Sequence, residues 1–241
     1  MYGLIIASGV IADYGAHRAM IAGLPEPGRV YCADGGLRHA GRLGIVPDLI
    51  LGDLDSADPG LITEYTNKGI GVEKYPEEKD YTDTELAAER AIRDGCGRVL
   101  VLGAFGGRAD HGYANFQLVY KFALKGVRVV LADHTNAVAA IASRGVTNKI
   151  IIDMINPVAS LLGCERTETG TEHINGPRNP KLSLFPVGGS SKGVSVSGSK
   201  YVLDDAAMDA DYTTGVSNEF TGRFAAVGIR EGAVFIMVCG E

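Results

Sequence analysis

Over residues 1–134, short unbroken apolar runs alternate with amphipathic stretches. The runs fall at 3–7, 29–33, 48–52, 70–74, 98–103 and 127–132. Such runs suit strands buried on both faces, and the stretches between them are long enough for helices. This alternation predicts a Rossmann-like α/β domain, an open parallel sheet of about six strands covered on both sides. Asp58-Pro59 fits an N-cap followed by proline at the first helical position. Thr82-Asp83-Thr84-Glu85 fits a capping box, whose helix would bury Leu86, Ala88, Ala91 and Ile92 and stop near Gly95. Asp110 suits the cap of the next helix, with Leu118, Val119, Phe122 and Ala123 on one face and an end at Gly126. Beyond residue 134 the helical period fades and Gly, Ser and Thr become frequent. Strand-like runs at 182–187, 193–202, 220–229 and 233–238, separated by turn residues, predict an all-β second domain, a sandwich or jelly roll. The domains are expected at 1–134 and 135–241, with the boundary inside 134–182. Residues 150–162 fit either a helix interrupted by Pro157 or a strand and a loop, and 167–180 read as an exposed polar loop.

Composition narrows the class. With 46% hydrophobic and 22% charged residues in 241, the chain is neither disordered nor fibrous, and its 33 glycines have no three-residue period. Its apolar runs fall short of the roughly 18 residues a membrane helix needs. The opening Met-Tyr-Gly-Leu-Ile-Ile-Ala-Ser-Gly has no basic leader and reads as a buried strand. A net charge of −6 argues against broad nucleic-acid binding but leaves local anion binding open. Cys32, Cys96, Cys164 and Cys239 lie far apart with no C-x-x-C pair, which favours reduced, buried thiols in a cytoplasmic protein.

Chemistry enters through position. Parallel strands point their C-terminal ends at one edge, where ligands bind. Beyond the six runs come Ser8-Gly9, Asp34-Gly35-Gly36, Asp53-Leu54-Asp55-Ser56, Asp80-Tyr81-Thr82-Asp83, Gly106-Gly107-Arg108-Ala109-Asp110-His111 and Asp133-His134-Thr135-Asn136. Carboxylates, glycines and an arginine collect along one rim. Asp53 and Asp55 can aim at one point, with Asp83 as a third carboxylate. With no balancing Lys or Arg, such a group calls for a hard dication, Mg²⁺ above all, held by carboxylates and substrate phosphates. Read singly, Asp53 and Asp55 are also ordinary turn residues and Asp83 an ordinary first-turn residue. Gly106-Gly107-Arg108 between a strand and a helix suits an anion, as does Asp34-Gly35-Gly36, although a plain turn explains either. Neither a P-loop nor a dinucleotide fingerprint is present. His111 and Asn115 stand one helical turn apart, able to line the site or to serve the helix alone.

Taken in order, Ala33-Asp34-Gly35-Gly36, Pro47-Asp48-Leu49-Ile50-Leu51-Gly52-Asp53-Leu54-Asp55-Ser56, Asp80-Tyr81-Thr82-Asp83 and Gly106 through His111 resemble the thiamine pyrophosphokinase family. Ser183-Leu184-Phe185-Pro186, the stretch 198–203 and Gly215-Val216-Ser217-Asn218-Glu219 resemble its thiamine-binding half. The likeness spans nearly the whole chain except 140–181. It implies an α/β catalytic, nucleotide-binding domain followed by a β-sandwich that binds thiamine. It also implies a homodimer with active sites between one subunit's α/β domain and the other's sandwich. The implied reaction converts ATP and thiamine to thiamine diphosphate and AMP, with Mg²⁺ required. By the same resemblance Asp53, Asp55 and Asp83 hold the metal and phosphates, with Asp80 beside them. Asp34, Gly35, Gly36, Gly107, Arg108, Asp110 and His111 form the ATP side, Arg108 touching the transferring group. Ser217, Asn218 and Asn115 form the thiamine side. The segment between Asn136 and Ser183 is longer than the family's usual connection. The chain has no Trp, so any aromatic stacking on thiamine falls to Tyr or Phe. Two other readings are open: a nucleotide or thiamine-diphosphate sensor, and a phosphatase with Asp53 as nucleophile and Asp55 as acid. The second lacks a clear downstream Lys–Asp set.

Overall fold

A computed structural model describes residues 1–164 and 177–240, in two units. The expected loop at 167–180 lies mostly outside the described residues.

The first unit comprises Met1–Arg18 and Glu26–Leu118. Its strands are β1 (Gly3–Ile6), β2 (Arg29–Ala33), β3 (Leu49–Gly52), β4 (Gly71–Lys74) and β5 (Arg98–Leu102). They pair in parallel in the order β5-β1-β2-β3-β4. β1 and β3 are buried along their whole length, while the edge strand β4 is half-exposed. That contrast explains why the first two read as apolar runs and β4 carries Glu73 and Lys74. Its helices are α2 (Leu37–Leu43), α3 (Pro59–Asn67) and α4 (Asp83–Arg93), while α1 (Tyr14–Ala22) and α5 (Ala109–Leu124) begin in this unit and end in the second. Asp58 caps α3 by accepting from the Gly60 N–H at 2.7 Å, with Pro59 at the first position. Thr82 Oγ1 accepts from the Glu85 N–H at 3.2 Å and caps α4. The buried face of α4 is Ala87, Ala88 and Ala91; Leu86 and Ile92 are only half-buried, because small residues let the helix lie close on the sheet. Asp110 sits in the first turn of α5, where its Oδ1 accepts from the His111 N–H at 2.9 Å.

The second unit comprises Ala19–Pro25 and Val119–Glu241. It holds β6 (Arg128–Ala132), β7 (Asn136–Asp153), α6 (Pro157–Leu162), β8 (Lys181–Pro186), β9 (Ser191–Ser197), β10 (Leu203–Met208), β11 (Asn218–Glu219) and β12 (Phe224–Cys239). The run at 127–132 therefore groups with this unit, where β6 pairs antiparallel with β7. Only residues 133–135 join the two strands, a link that suits a hairpin. Asp133 Oδ1 accepts from the Thr135 and Asn136 N–H groups at 2.8 and 2.7 Å, so this last polar cluster of the rim is committed to its own turn.

Two further expectations change. Residues 224–229 of the run at 220–229 join the run at 233–238 in one strand, β12, whose pairing with β7 shifts register between Ile229 and Glu231. The extra residues of that irregularity lie in β7, between Arg144 and Asn148, so Arg230-Glu231-Gly232 continues the strand and is not a turn. The run at 193–202 is instead β9 and the bend leading into β10, its antiparallel partner. Pro157 opens α6, with Asn156 Oδ1 accepting from the Ala159 N–H at 3.0 Å, so residues 150–162 are a strand followed by a short helix. β12 pairs with β7 along one edge, and with β9 and then β8 along the other.

No disulfide joins the cysteines among the described residues. Cys32 and Cys96 are buried, but Cys164 and Cys239 are half-buried. Burial pushes the Cys32 thiol up to about 12. No helix among the described residues is long and apolar enough to cross a membrane.

Candidate active site

The rim of the first unit is built by tight turns. After β2 the chain enters a 3-10 turn over Asp34–Gly36, with Asp34 at φ 47°. Aspartate tolerates that left-handed conformation better than most residues. A Cβ on Gly36 would lie 2.0 Å from the Ile6 carbonyl oxygen, so only glycine lets this turn press against β1. After β3, Gly52 sits at φ 142°, and a Cβ there would come within 3.1 Å of Asp83 Oδ1 and 3.2 Å of Asp34 Cβ. Gly52 thus keeps open the space into which the acids project. Leu54, between Asp53 and Asp55, is held at φ 65°. For a non-glycine residue that conformation costs roughly 1–2 kcal/mol, which surrounding contacts must offset.

These turns bring Asp34, Asp53 and Asp83 together, with one carboxylate oxygen from each within 4.8 Å of the others. Asp34 is buried at 8% exposure; its Oδ2 accepts from Ser56 Oγ, and its Oδ1 has no hydrogen-bond partner. The group lies in an open cleft of about 330 Å³, lined also by Ser8, Lys79, Asp80 and His111.

The expectation that no cation balances these acids is corrected here. Lys79 Nζ stands 2.7 Å from Asp53 Oδ2 and 3.3 Å from Asp83 Oδ1, and donates to the Pro76 carbonyl at 3.1 Å. The Lys79 ammonium holds the Asp53 carboxyl below its ordinary value. Burial raises that of Asp83, against the pull of Lys79. Asp55 lies outside the trio but beside Asp53. Its backbone N–H donates to Asp53 Oδ1 at 3.3 Å, and its carboxyl is raised by hydrogen bonding to and repulsion from Asp53. Lys79 was legible only as the residue four before Asp83, a spacing whose contact depends on the 76–82 segment curling over the rim.

The other expected residues divide. Gly35 is buried in its turn, where a Cβ would meet Ser56 Oγ at 3.2 Å. Gly107 is exposed at φ 74°. Arg108 and Asp110 are exposed and pair with each other at 2.5 Å. That pairing holds the Asp110 carboxyl at about 2. Asn115 is buried and donates to the Ala104 carbonyl at 2.8 Å, bracing the loop after β5. A second brace escaped sequence reasoning. His39 is buried, with Nε2 2.8 Å from the Gly9 carbonyl oxygen and Nδ1 2.7 Å from Tyr14 Oη. Burial lowers its pKa and favours the neutral ring, which donates to Gly9 and accepts from Tyr14. Arg38 Nη2 donates to the Ser8 carbonyl at 2.6 Å. Together they fix the turn after β1 at the cleft.

In the second unit, Ser217 takes φ 60° and its N–H donates to Ser183 Oγ at 3.0 Å. Asn218 Oδ1 accepts from the Tyr201 N–H at 3.0 Å. Its Nδ2 donates to the Tyr201 carbonyl at 2.7 Å and to Ser199 Oγ at 3.0 Å. Tyr201 itself is 64% exposed.

Two family models match successive stretches of the sequence. The thiamin pyrophosphokinase catalytic domain matches residues 27–131, and the thiamin pyrophosphokinase vitamin B1 binding domain matches 171–234. The chain belongs to the thiamin pyrophosphokinase family. Membership makes it an enzyme of thiamine diphosphorylation with ATP. Thiamine pyrophosphokinase 1 of Oryza sativa subsp. japonica is 27% identical over 222 residues, covering 87% of this chain and 70% of that protein. Thiamine pyrophosphokinase of Bacillus subtilis is 28% identical over 182 residues, covering 73% and 71%. Among solved structures, the thiamine pyrophosphokinase of Bacillus subtilis shares the fold at a TM-score of 0.78 and 21% identity, covering 100% of both chains. That of Candida albicans does so at 0.72 and 15% identity, covering 100% of this chain and 89% of the other. The likeness agrees with an α/β domain joined to a β domain.

Proposed function

We propose that the chain moves the diphosphoryl group of ATP onto the hydroxyl of thiamine, giving thiamine diphosphate and AMP in a Mg²⁺-dependent reaction. The observation that carries this reading is the convergence of Asp34, Asp53 and Asp83 from separate turns, one oxygen of Asp34 being buried without a hydrogen bond. An all-oxygen donor set of that kind fits a hard divalent ion. Asp53 and Asp83, with Asp34, would hold Mg²⁺, and Asp55 and Asp80 stand beside them. The ion would supply charge neutralisation for the phosphate oxygens.

The thiamine oxygen attacks the β-phosphorus, a new O–P bond forms, the bridge to the α-phosphorus breaks, and AMP leaves. The hydroxyl proton passes to a carboxylate of the cluster. Positioning does most of the remaining work. The turns held by His39, Arg38 and Gly36 fix the cleft wall, and Gly35, Gly36, Gly107, Arg108, Asp110 and His111 serve the ATP side. Ser217, Asn218 and Asn115 serve thiamine, the two asparagines through the loops they brace. Tyr201, pinned through its backbone by Asn218 and left exposed, is the aromatic surface that stands in for an absent Trp.

We also read residues 1–134 as the catalytic domain and 135–241 as a thiamine-binding sandwich, in a homodimer whose sites the partner subunit completes. The two family matches fall on either side of that boundary. The exchange of β9 for β8 along one edge of β12 suits a sheet that folds into two layers. The test is AMP release with ATP, MgCl2 and thiamine. AMP and thiamine diphosphate should appear in equal amounts and only with thiamine present. Free phosphate without thiamine would point to the phosphatase, and binding without turnover to the sensor.

A further inference from the structure

Three carboxylates within 4.8 Å cannot all stay ionised in a cleft without a positive neighbour. That neighbour is Lys79. Its ammonium touches Asp53 and Asp83, two of the trio that would hold the divalent ion, and its side chain is only 12% exposed. Ammonium and metal ion thus compete for the same two side chains. Lys79 belongs neither to β4 nor to α4 but to the irregular segment between them, residues 75–82. Its long stem can swing away while the backbone stays in place. Asp34 differs in that Lys79 makes no ion pair with it, and its Oδ1, like Asp83 Oδ1, has no hydrogen-bond partner. One ammonium therefore leaves the group short of positive charge, and a divalent ion in its place would supply more.

We propose that Lys79 is a displaceable counter-ion: it holds the acid cluster together before metal loading and must leave Asp53 and Asp83 for a divalent ion to enter. The proposal rests on the reading of the cluster as the metal site, but it concerns the chain and the ion alone, without nucleotide or thiamine.

The experiment uses Mn²⁺ alone as the probe, titrated into wild type, Lys79→Met and Lys79→Gln and followed by electron paramagnetic resonance. Melting in EDTA and in MgCl2 is recorded in parallel. Removing the competing charge should tighten Mn²⁺ binding by about tenfold, the lower end of what outer groups do to metal affinity. The same variants should melt about 2–4 °C lower than wild type in EDTA and recover in MgCl2, where the metal replaces the lost charge. A purely structural lysine predicts the opposite: looser carboxylates and weaker Mn²⁺ binding. Unchanged affinity in both variants, or no binding by any of the three proteins, also overturns the proposal. If AMP release is normal while the Mn²⁺ titrations fail in this way, the transferase reading stands and only the role of Lys79 falls. Should Lys79→Met not fold, the Lys79→Gln titration decides by itself.

Discussion

The acid turns of the first unit and the Ser217–Asn218 turn of the second use polar side chains in opposite ways. Around Asp34, Asp53 and Asp83, like charges are crowded and two buried oxygens, one of Asp34 and one of Asp83, have no hydrogen bond. Around Asn218, the amide nitrogen and oxygen are both occupied by the backbone and hydroxyl of residues 199–201. The first arrangement costs stability unless a ligand arrives. The second contributes stability at once, and what it offers outward is the shape of a turn and the exposed ring of Tyr201. A polar motif residue can therefore serve a site either by meeting the ligand or by holding what does, and unused hydrogen-bonding capacity tells the two apart.

The sharpest way to break this contrast is Asp53→Asn or Asp83→Asn. Each should lower AMP release by about 100-fold or more while circular dichroism stays unchanged, since neither side chain holds an element in place. A variant that unfolds, or one that keeps near-normal turnover, would place the acids with the structural group. Asn218→Ala should behave in reverse. It removes the partner of the Tyr201 N–H and leaves Ser199 Oγ and the Tyr201 carbonyl only each other, so stability in urea should fall by about 0.5–1.5 kcal/mol, and KM for thiamine should rise while KM for ATP holds. Unchanged stability with weaker thiamine binding would instead make Asn218 a direct ligand.

His39 gives a smaller, pH-dependent test. Its pKa is lowered in the folded chain because burial disfavours the charged ring. Between its folded and unfolded values the unfolded chain binds more protons, so its contribution is complete above the ordinary histidine range and is lost as pH falls through and below it. Wild type should lose urea resistance over that interval, and His39→Gln should show a flatter profile. The smallest effect is expected of Arg108→Ala. The Arg108–Asp110 pair is exposed, so the melting temperature should not move, and a raised KM for ATP would be its only mark. A stability loss there would show that the pair braces its loop.

Much of the first unit was legible because each of its signals is local. Buried parallel strands read as apolar runs, and Asp58 and Thr82 announce their helices by chemistry that acts within three residues. The second unit was harder. β12 looks like two strands because Arg230-Glu231-Gly232 carries turn residues, yet the long partner β7 carries the pairing past the bulge. β7 itself was read only in part, since its exposed middle, residues 144–147, breaks the apolar pattern. At the site, Asp53 and Asp83 could be proposed from their places after strands. That Asp34, read as part of a nucleotide turn, is the third member depends on how the β2 turn packs beneath β3.

By itself the amino-acid order determined which residues alternate, where helices begin, and which strand ends carry carboxylates and glycines. Propensity, capping and burial periodicity act over a few neighbours, so they are written in the chain directly. Which carboxylates meet, that Lys79 lies between two of them, and that Asn218 is committed to the turn at Tyr201 were decided only by tertiary packing. Those facts depend on distances between segments remote in sequence, and such distances are set by how whole elements stack.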